Sequence, residues 1–243
     1  MIVDCVMASY EADALAVRDA ELNGVVHLRV VVHGNETFRG APLDPPMITL
    51  SKTRTIIASL ILQGDPWERE FALRQFSLDV GLEEGGTDAM LILADADEIP
   101  HPDAVRTAAL SGQPSLLPND MREWFMNWRA PDVWQPPHQP LIGRYRDYEN
   151  AGGAQVARAA FSWPMVGPRG WHLSTLGDGA LAAAKIASFA HSEYDTPEHV
   201  NAAILDERRD GAMDILNRFA LEPATDLPSC WQDFPHLMSP DAR

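Results

Sequence analysis

A chain of 243 residues with 46% hydrophobic and 22% charged residues has the composition of a globular protein and can bury a sizeable core. The formal net charge of −16 opposes nonspecific binding to nucleic acid and to anionic membranes, because their phosphates are repelled. The sequence begins without a signal-peptide pattern, and no run reaches the roughly 18 apolar residues of a membrane span, so we expect a cytoplasmic protein.

The first half of the chain alternates between strand and helix patterns. Apolar and β-branched runs predict strands over residues 1–8, 25–33, 54–62 and 89–95, and helical spacing predicts helices over residues 13–22, 66–82 and 102–110. Such an alternation is typical of an α/β domain with a mostly parallel central sheet and helices on both faces.

The second half is more irregular, with proline-rich and tryptophan-rich loops. Helices are predicted over residues 179–191 and 197–220. No strong linker divides the chain, so we expect one domain over residues 1–222 and a proline-rich C-terminal tail over residues 223–243. The two cysteines, Cys5 and Cys230, have no zinc-type spacing. They are predicted to be reduced thiols, with a disulfide between the chain ends as the alternative.

Three carboxylates follow the most apolar strand, in the segment LILADADEIP. Ligands of open α/β sheets bind at the carboxyl ends of the strands. In an extended backbone Asp95 and Asp97 would point to the same side and repel each other unless a cation lay between them. Mg²⁺ or Mn²⁺ with oxygen ligands fits that position, and we predict a metal diphosphate site. The alternative is that one aspartate caps the following helix while the others are solvated.

Several blocks of the sequence resemble, in order, those of glycosyltransferase family 17, the family of the bisecting β-1,4-N-acetylglucosaminyltransferase. The resemblance spans about residues 2–218 and rests on DCVMASYEADALAVRDAEL, VVVHGNETFRGAP, WEREFALRQ, DADEIP, RDYEN, GWHLS and KIASFAHSEYD. It implies a GT-A fold, a nucleotide-sugar donor such as UDP-N-acetylglucosamine, Mn²⁺ or Mg²⁺, and inversion at the sugar carbon. The chain has Tyr10 and His33 where the family usually has Asn and Glu. These differences leave open which nucleotide base and which sugar the donor carries.

The resemblance and the chemistry of transfer together suggest roles for particular residues. The predicted metal ligands are Asp97, Asp95 and His191, and Asp95 also has the alternative of contacting the ribose. The predicted general base, which takes the proton of the acceptor hydroxyl, is Glu98. The alternative role for Glu98 is to support the site or to cap a helix. The second candidate for the base is Asp178. Trp171 and His172 are predicted to line the acceptor pocket. The predicted donor-binding residues are Glu11, Arg18, His33, Thr37, Arg74 and Asp95, where Arg18 and Arg74 could instead pair with Glu11 or Glu70.

Other functions remain open at this point. A sugar-nucleotidyltransferase has a similar sheet, but the glycine-rich loop expected after its first strand is missing from VMASYEADAL. A non-catalytic carbohydrate-binding protein would not require the three carboxylates together. The acceptor of a transferase could be a glycan, a lipid-linked sugar, a small metabolite or a modified DNA base. The acidic charge opposes the last of these, whereas a patch of Arg144, Arg146, Arg208 and Arg209 would support it.

Overall fold

The computed structural model describes residues 1–44, 53–135, 139–160 and 162–240. In chain order the strands are β1 (Ile2–Met7), β2 (Leu28–Gly34), β3 (Arg54–Leu60), β4 (Met90–Asp95), β5 (Glu98–Ile99), β6 (Ser115–Leu116), β7 (Asn119–Trp124), β8 (Trp128–Arg129), β9 (Leu141–Gly143), β10 (Gly170–Leu176) and β11 (Glu222–Pro223). The α-helices are α1 (Ala12–Leu22), α2 (Pro66–Gly85), α3 (Pro102–Ser111), α4 (Tyr145–Ala151), α5 (Ala154–Ala160), α6 (Gly179–Ser188) and α7 (Ala202–Asp210).

The first sheet has six strands in the order β3-β2-β1-β4-β9-β6. Strands β3, β2, β1 and β4 run parallel, while β9 is antiparallel to both β4 and β6. Alternate residues of the parallel strands face opposite layers. Val6 and Ile92 pack with α1 and α3, whereas Cys5 and Leu93 pack with α2, α4 and α5. The prediction of an α/β fold with helices on both faces of the sheet is therefore confirmed.

A second sheet, which the sequence did not predict, has five strands in the order β11-β8-β7-β10-β5. Only β7 and β10 are parallel neighbours in it, and the other pairs are antiparallel. The mostly parallel sheet predicted from the sequence thus describes one of two sheets. The chain passes from the first sheet to the second in the two-residue turn between β4 and β5, which holds Ala96 and Asp97.

Two predicted helices are shorter in the structure. The helix predicted over 179–191 ends at Ser188, and the helix predicted over 197–220 is α7, which begins after the Asn201 cap and ends at Asp210. After α7 the Asp214 carboxylate accepts hydrogen bonds from the backbone N–H groups of Arg218 and Phe219. An aspartate that satisfies local backbone donors favours a turn over a continued helix.

The described part of the C-terminal segment lies against the second sheet and α1. Arg122 donates to the carboxylate of Asp226 at 2.7 Å, and the Ser229 hydroxyl donates to Glu21 at 2.8 Å. Residues 241–243 lie outside the described residues, and a separate tail from residue 223 stays a prediction. Cys5 is buried and Cys230 is half-buried, both as free thiols. Within the described ranges, no helix is long and apolar enough to cross a membrane.

Candidate active site

The sequence predicted that Asp95 and Asp97 point to the same side of one strand. In the structure the chain leaves the first sheet between these two residues. Asp95 is the last residue of β4, at the carboxyl end of the parallel sheet, and Asp97 lies in the turn that leads to β5. The extended backbone assumed from the sequence therefore ends between them. Each carboxylate has its own cationic partners.

Asp95 lies between two arginines. Its Oδ2 accepts from Arg158 at 2.9 Å, and its Oδ1 accepts from Arg74 at 3.3 Å. Burial would raise the pKa of Asp95, but Arg158 and Arg74 outweigh it and hold this pKa below its usual range. Arg74 also donates to Glu70 at 2.7 Å. The ion pair with Glu70 that was the alternative role of Arg74 is therefore present, and the same side chain also contacts Asp95. Asp95 is an anion held by two guanidinium groups.

Glu98 lies inside the protein and is about 1% exposed. Its two carboxylate oxygens accept from Arg158 at 2.6 Å and 2.8 Å, and one of them also accepts from the backbone N–H of Asp95 at 2.9 Å. Such a two-bond carboxylate–guanidinium pair is strong and fixed in direction. In this conformation no acceptor hydroxyl reaches Glu98, although the sequence made it the first candidate for the base.

Asp97, Lys185 and Glu11 form a second cluster. The Lys185 ammonium donates to Asp97 at 2.6 Å and lies 3.9 Å from the Glu11 carboxylate. Burial raises the pKa of Glu11, Lys185 lowers it, and the nearby Asp97 raises it further, so the net shift is upward. Two carboxylates share one ammonium group here.

A cleft of about 160 Å³ opens beside this cluster. Its walls come from the loop before α1, from β10 and from α6, and they include Tyr10, Glu11, Ser174, Thr175, Leu181 and Lys185. Glu11, which directly precedes α1, and Lys185 on α6 thus place opposite charges on one concave surface. A small polar ligand that enters the cleft meets both.

Arg18, a predicted donor-binding residue, is fully buried and pairs with Asp4 through two bonds at 2.5 Å and 2.8 Å. It also donates to the backbone carbonyls of Asp95 and Glu98. Arg29 joins the same aspartate at 2.9 Å. Although burial opposes ionisation, Arg18 and Arg29 hold the pKa of Asp4 at about 2. Arg18 therefore fixes the backbone of the acidic turn from beneath, and in this conformation it has no surface to offer a donor.

Two other predicted donor-binding residues lie at the end of β2. His33 is buried, with its Nδ1 2.9 Å from the Gly34 carbonyl. Thr37 is also buried, and its hydroxyl accepts from the backbone N–H of Ala41 at 3.1 Å. Both side chains shape the loop after β2, and the structure gives no contact between them and the Asp97 cluster.

The two predicted acceptor residues point to opposite sides of β10. Trp171 is buried, stacks on His101 with 5.5 Å between ring centres, and donates to the Asp226 carbonyl at 2.7 Å. His172 lies beside the acidic turn, with its Nε2 3.7 Å from Asp97. Its Nδ1 is buried and has no hydrogen-bond partner among the described residues. Of the pair, His172 alone lies beside the carboxylates.

Asp178 caps the first turn of α6. A single carboxylate oxygen, Oδ1, accepts the backbone N–H groups of Ala180 and Leu181 at 3.1 Å and 3.0 Å. The residue is exposed. Asp178, Leu181 and Lys185 follow the spacing i, i+3 and i+7, so they share one face of the helix, and the last two line the cleft. Asp178 thus precedes by about one helical turn a residue of the cleft wall, Leu181, and is not itself among the lining residues.

His191 was predicted to be a third metal ligand, but it lies in an exposed group of aromatic rings. Its Nδ1 is 2.6 Å from Glu193, and its ring meets Trp67 edge to face at 4.6 Å. Among the described residues no three His, Cys, Asp or Glu side chains are arranged to hold a metal ion. Asp95 and Asp97 are ligand types that Mg²⁺ or Mn²⁺ accepts. As arranged, however, arginine and lysine groups occupy the positions of a metal ion, so the site does not fit one in this conformation.

The first part of the chain is similar to a known protein family. A family model described as glycosyltransferase family 17 matches residues 1–135, which is more than half of the chain. The chain belongs to glycosyltransferase family 17. The matched part contains β1 to β4, the acidic turn and Glu11, whereas Asp178, Lys185 and His191 lie beyond it. No curated protein and no solved structure matches the chain.

Membership of glycosyltransferase family 17 makes this protein an enzyme that transfers a sugar, and it confirms the resemblance seen in the sequence. Such a transferase uses a sugar donor and an acceptor. The sequence reasoning missed Arg158 and Lys185. Both lie in short alanine-rich helices without a recognisable motif, and KIASFAHSEYD was noted for its histidine rather than its lysine.

Proposed function

We propose that this family 17 glycosyltransferase moves a sugar, of the N-acetylglucosamine type, from a nucleoside diphosphate donor to an acceptor hydroxyl with inversion. The observation that carries the proposal is the joining of Asp97 and Glu11 through Lys185, where Glu11 and Lys185 lie on the wall of the cleft and the arginine-bound Asp95 is two residues from Asp97. A diphosphate leaving group needs positive charge near it as the bond to the sugar breaks. Lys185 is the cation that lies on the cleft wall.

The base that takes the acceptor proton is assigned to Asp178. Its carboxylate is exposed, it lies three residues before Leu181 of the cleft wall, and both capping bonds use the same oxygen. A general base must reach the proton that it removes, and Glu98 is buried with both oxygens bonded. Inversion follows if a single displacement occurs, with the hydroxyl attacking the sugar carbon opposite the leaving diphosphate.

The Mn²⁺ or Mg²⁺ implied by the resemblance stays a prediction. Mg²⁺ is held in many sites by one or two carboxylates together with substrate phosphates. Here a metal ion at Asp97 would have to displace the Lys185 ammonium, which lies 2.6 Å from the carboxylate.

A screen of nucleotide sugars tests the proposal. The protein is melted with UDP-, GDP-, ADP- and dTDP-linked sugars, each with Mn²⁺ and with EDTA, because a ligand of the folded state raises the melting temperature. We expect the UDP-linked N-acetylhexosamines to give the largest rise. The product formed with a panel of acceptors is then analysed by proton NMR, where the coupling of the anomeric proton reports inversion. If no nucleotide sugar raises the melting temperature, the proposed donor is wrong.

A further inference from the structure

The Lys185 ammonium group lies against the carboxylates that a metal ion in this site would need. It donates to Asp97 at 2.6 Å and to the backbone carbonyl of Ser174, and the Glu11 carboxylate lies 3.9 Å away. An ammonium group has three N–H donors. Asp97 and Ser174 use two of them, and Glu11 is beyond hydrogen-bond distance. Among the described residues the third N–H has no acceptor, and Lys185 is part of the cleft wall, so this donor is available to a ligand in the cleft.

Lys185 keeps its positive charge although it is largely buried. Burial would lower the pKa of Lys185, but Asp97 and Glu11 outweigh this effect and raise the pKa above its ordinary value. The amine is therefore an ammonium ion at neutral pH. An anion that enters the cleft meets a positive charge that is already held in place.

Asp95, the other predicted metal ligand near the cleft, is bound by cations that are themselves anchored. Its two carboxylate oxygens accept from Arg158 and Arg74. Arg158 also binds both carboxylate oxygens of the buried Glu98. A metal ion between Asp95 and Asp97 would have to displace a guanidinium group and the ammonium group, and each displaced cation would lose a partner inside the protein. The carboxylates are thus neutralised by side chains of the protein.

We propose that Lys185 takes the role that the family resemblance gives to a divalent metal, so that its ammonium group binds the diphosphate of the donor and donor binding needs no Mn²⁺ or Mg²⁺. Asp97 is then a positioning residue that holds Lys185 at the cleft wall. The inference rests on the proposed function, because a diphosphate is bound only if the protein uses a nucleotide-sugar donor.

Lys185 acts on the leaving group of the proposed transfer. The acceptor oxygen forms a bond to the sugar carbon as the bond from that carbon to the β-phosphate oxygen breaks, and the hydroxyl proton passes to the base. The electron pair of the broken bond stays on the diphosphate, which gains one negative charge. A cation that is fixed before the reaction stabilises this charge without rearranging.

Calorimetry on the parent protein measures the dependence of donor binding on metal. UDP, GDP, ADP and dTDP are titrated in EDTA, in Mn²⁺ and in Mg²⁺, and the diphosphate that binds best is compared with its nucleoside. We expect this diphosphate to bind in EDTA, about tenfold or more tightly than the nucleoside, because a hydrogen bond to a charged group is strong. Neither metal should strengthen its binding by more than about twofold.

The two ways in which this experiment can fail are distinct. Binding that Mn²⁺ or Mg²⁺ strengthens beyond this limit, or that occurs only with a metal, overturns the role of Lys185 and leaves the proposed transferase in place. If no nucleoside diphosphate binds under any of the three conditions, the proposed donor is refuted, and the inference falls with it.

Variants of Lys185 test whether its charge meets the diphosphate. Lys185→Met has a similar length without the charge, and Lys185→Arg keeps the charge. The matched control is Arg209→Gln, because the Arg209 side chain is 22% exposed, against 24% for Lys185, and also contacts two carboxylates, those of Asp206 and Asp210. Arg209 is not among the residues that line the cleft.

We expect Lys185→Met to bind the diphosphate about tenfold or more weakly than the parent and to bind the nucleoside equally well, because only the phosphate oxygens meet the ammonium group. Lys185→Arg should lose less affinity than Lys185→Met, and Arg209→Gln should bind as the parent does. Equal binding of the diphosphate by Lys185→Met and the parent overturns the inference. Melting curves without ligand show whether each variant is folded, and the titrations of the parent decide the question of metal without any variant.

Discussion

Arg158 on α5 holds both carboxylate oxygens of Glu98, at 2.6 Å and 2.8 Å, in the interior one residue after Asp97. The same guanidinium reaches Asp95 at 2.9 Å. One cation thus fixes both ends of the turn between the two sheets. The pair makes Glu98 part of the support of the site rather than a group that meets the acceptor.

Glu98→Gln should therefore reduce stability more than it reduces chemistry. Glutamine removes one charge of a buried ion pair while Arg158 keeps Asp95 as an anionic partner, so we expect the free energy of unfolding to fall by about 2 kcal/mol. Urea unfolding measures the change. The control is Glu84→Gln, which removes the same charge from the exposed pair with Arg54 and should change stability by less than about 1 kcal/mol. If Glu98→Gln has normal stability and its turnover is lowered about 100-fold, Glu98 is the general base.

Asp178→Asn should lower turnover by about 100-fold or more while donor affinity stays the same. Asparagine is as good a helix cap as aspartate, so the fold of α6 is kept while the base is removed. Steady-state kinetics with a fixed acceptor gives kcat and KM separately. Asp103→Asn, which removes an exposed carboxylate from the first turn of α3, serves as the control. Normal turnover of Asp178→Asn would contradict the assignment.

Asp97→Asn tests the predicted metal. If Mn²⁺ binds at Asp97, calorimetry should show that Mn²⁺ strengthens UDP binding to the parent by about tenfold or more, and that Asp97→Asn loses this gain. Melting curves without ligand show whether the variant is folded, since Lys185 keeps Glu11 as a partner. UDP binding of equal strength in Mn²⁺ and in EDTA would mean that protein cations alone offset the diphosphate charge.

We expect the buried carboxyl group of Glu123 to make the free energy of unfolding depend on pH. Burial raises the pKa of this residue from its ordinary 4.5 to about 7, with Asp214 adding to the rise, while the Ile215 N–H bond, Arg218 and Lys185 oppose it. A raised pKa in the folded state gives a stabilising contribution that is complete below pH 4.5 and is lost as the pH rises to 7. The loss is about 3 kcal/mol.

Glu123→Gln removes this titration and keeps an oxygen that can accept the Ile215 N–H. The free energy of unfolding of the parent relative to Glu123→Gln should fall between pH 4.5 and pH 7 and then level off. Unfolding by urea at several pH values gives the difference directly. A difference that stays constant over this range would show that Glu123 ionises in the folded state as it does in the unfolded chain.

The sequence predicted the four parallel strands of the first sheet because they are long apolar runs, but it missed β6 and β9, which have two and three residues. The second sheet was missed because β5 and β8 have two residues each and β7 reads NDMREW, in which polar and charged residues hide the strand. A strand of this kind is recognised by its neighbours and not by its own composition.

The position of Asp95 at a strand end was predicted, but the arrangement of the groups around it was not. Asp95 and Asp97 were correctly placed at a strand end, yet their partners Arg158 and Lys185 lie 63 and 88 residues further along the chain. Charged residues in ordinary helical patterns give no sign of such distant partners. The orientation of the two aspartates depended on the turn to the second sheet, which a local pattern does not reveal.

The chain crosses from the first sheet to the second at the turn of Ala96 and Asp97. Asp95 and Glu11 belong to the side of the first sheet, whereas His172, Asp178 and Lys185 come from β10 and α6. Lys185 of α6 bridges the Asp97 and Glu11 carboxylates, so groups from both sheets meet in one cluster. Because Lys185 is also the cation proposed for the diphosphate, exchanging the β10–α6 segment would alter donor binding together with acceptor binding.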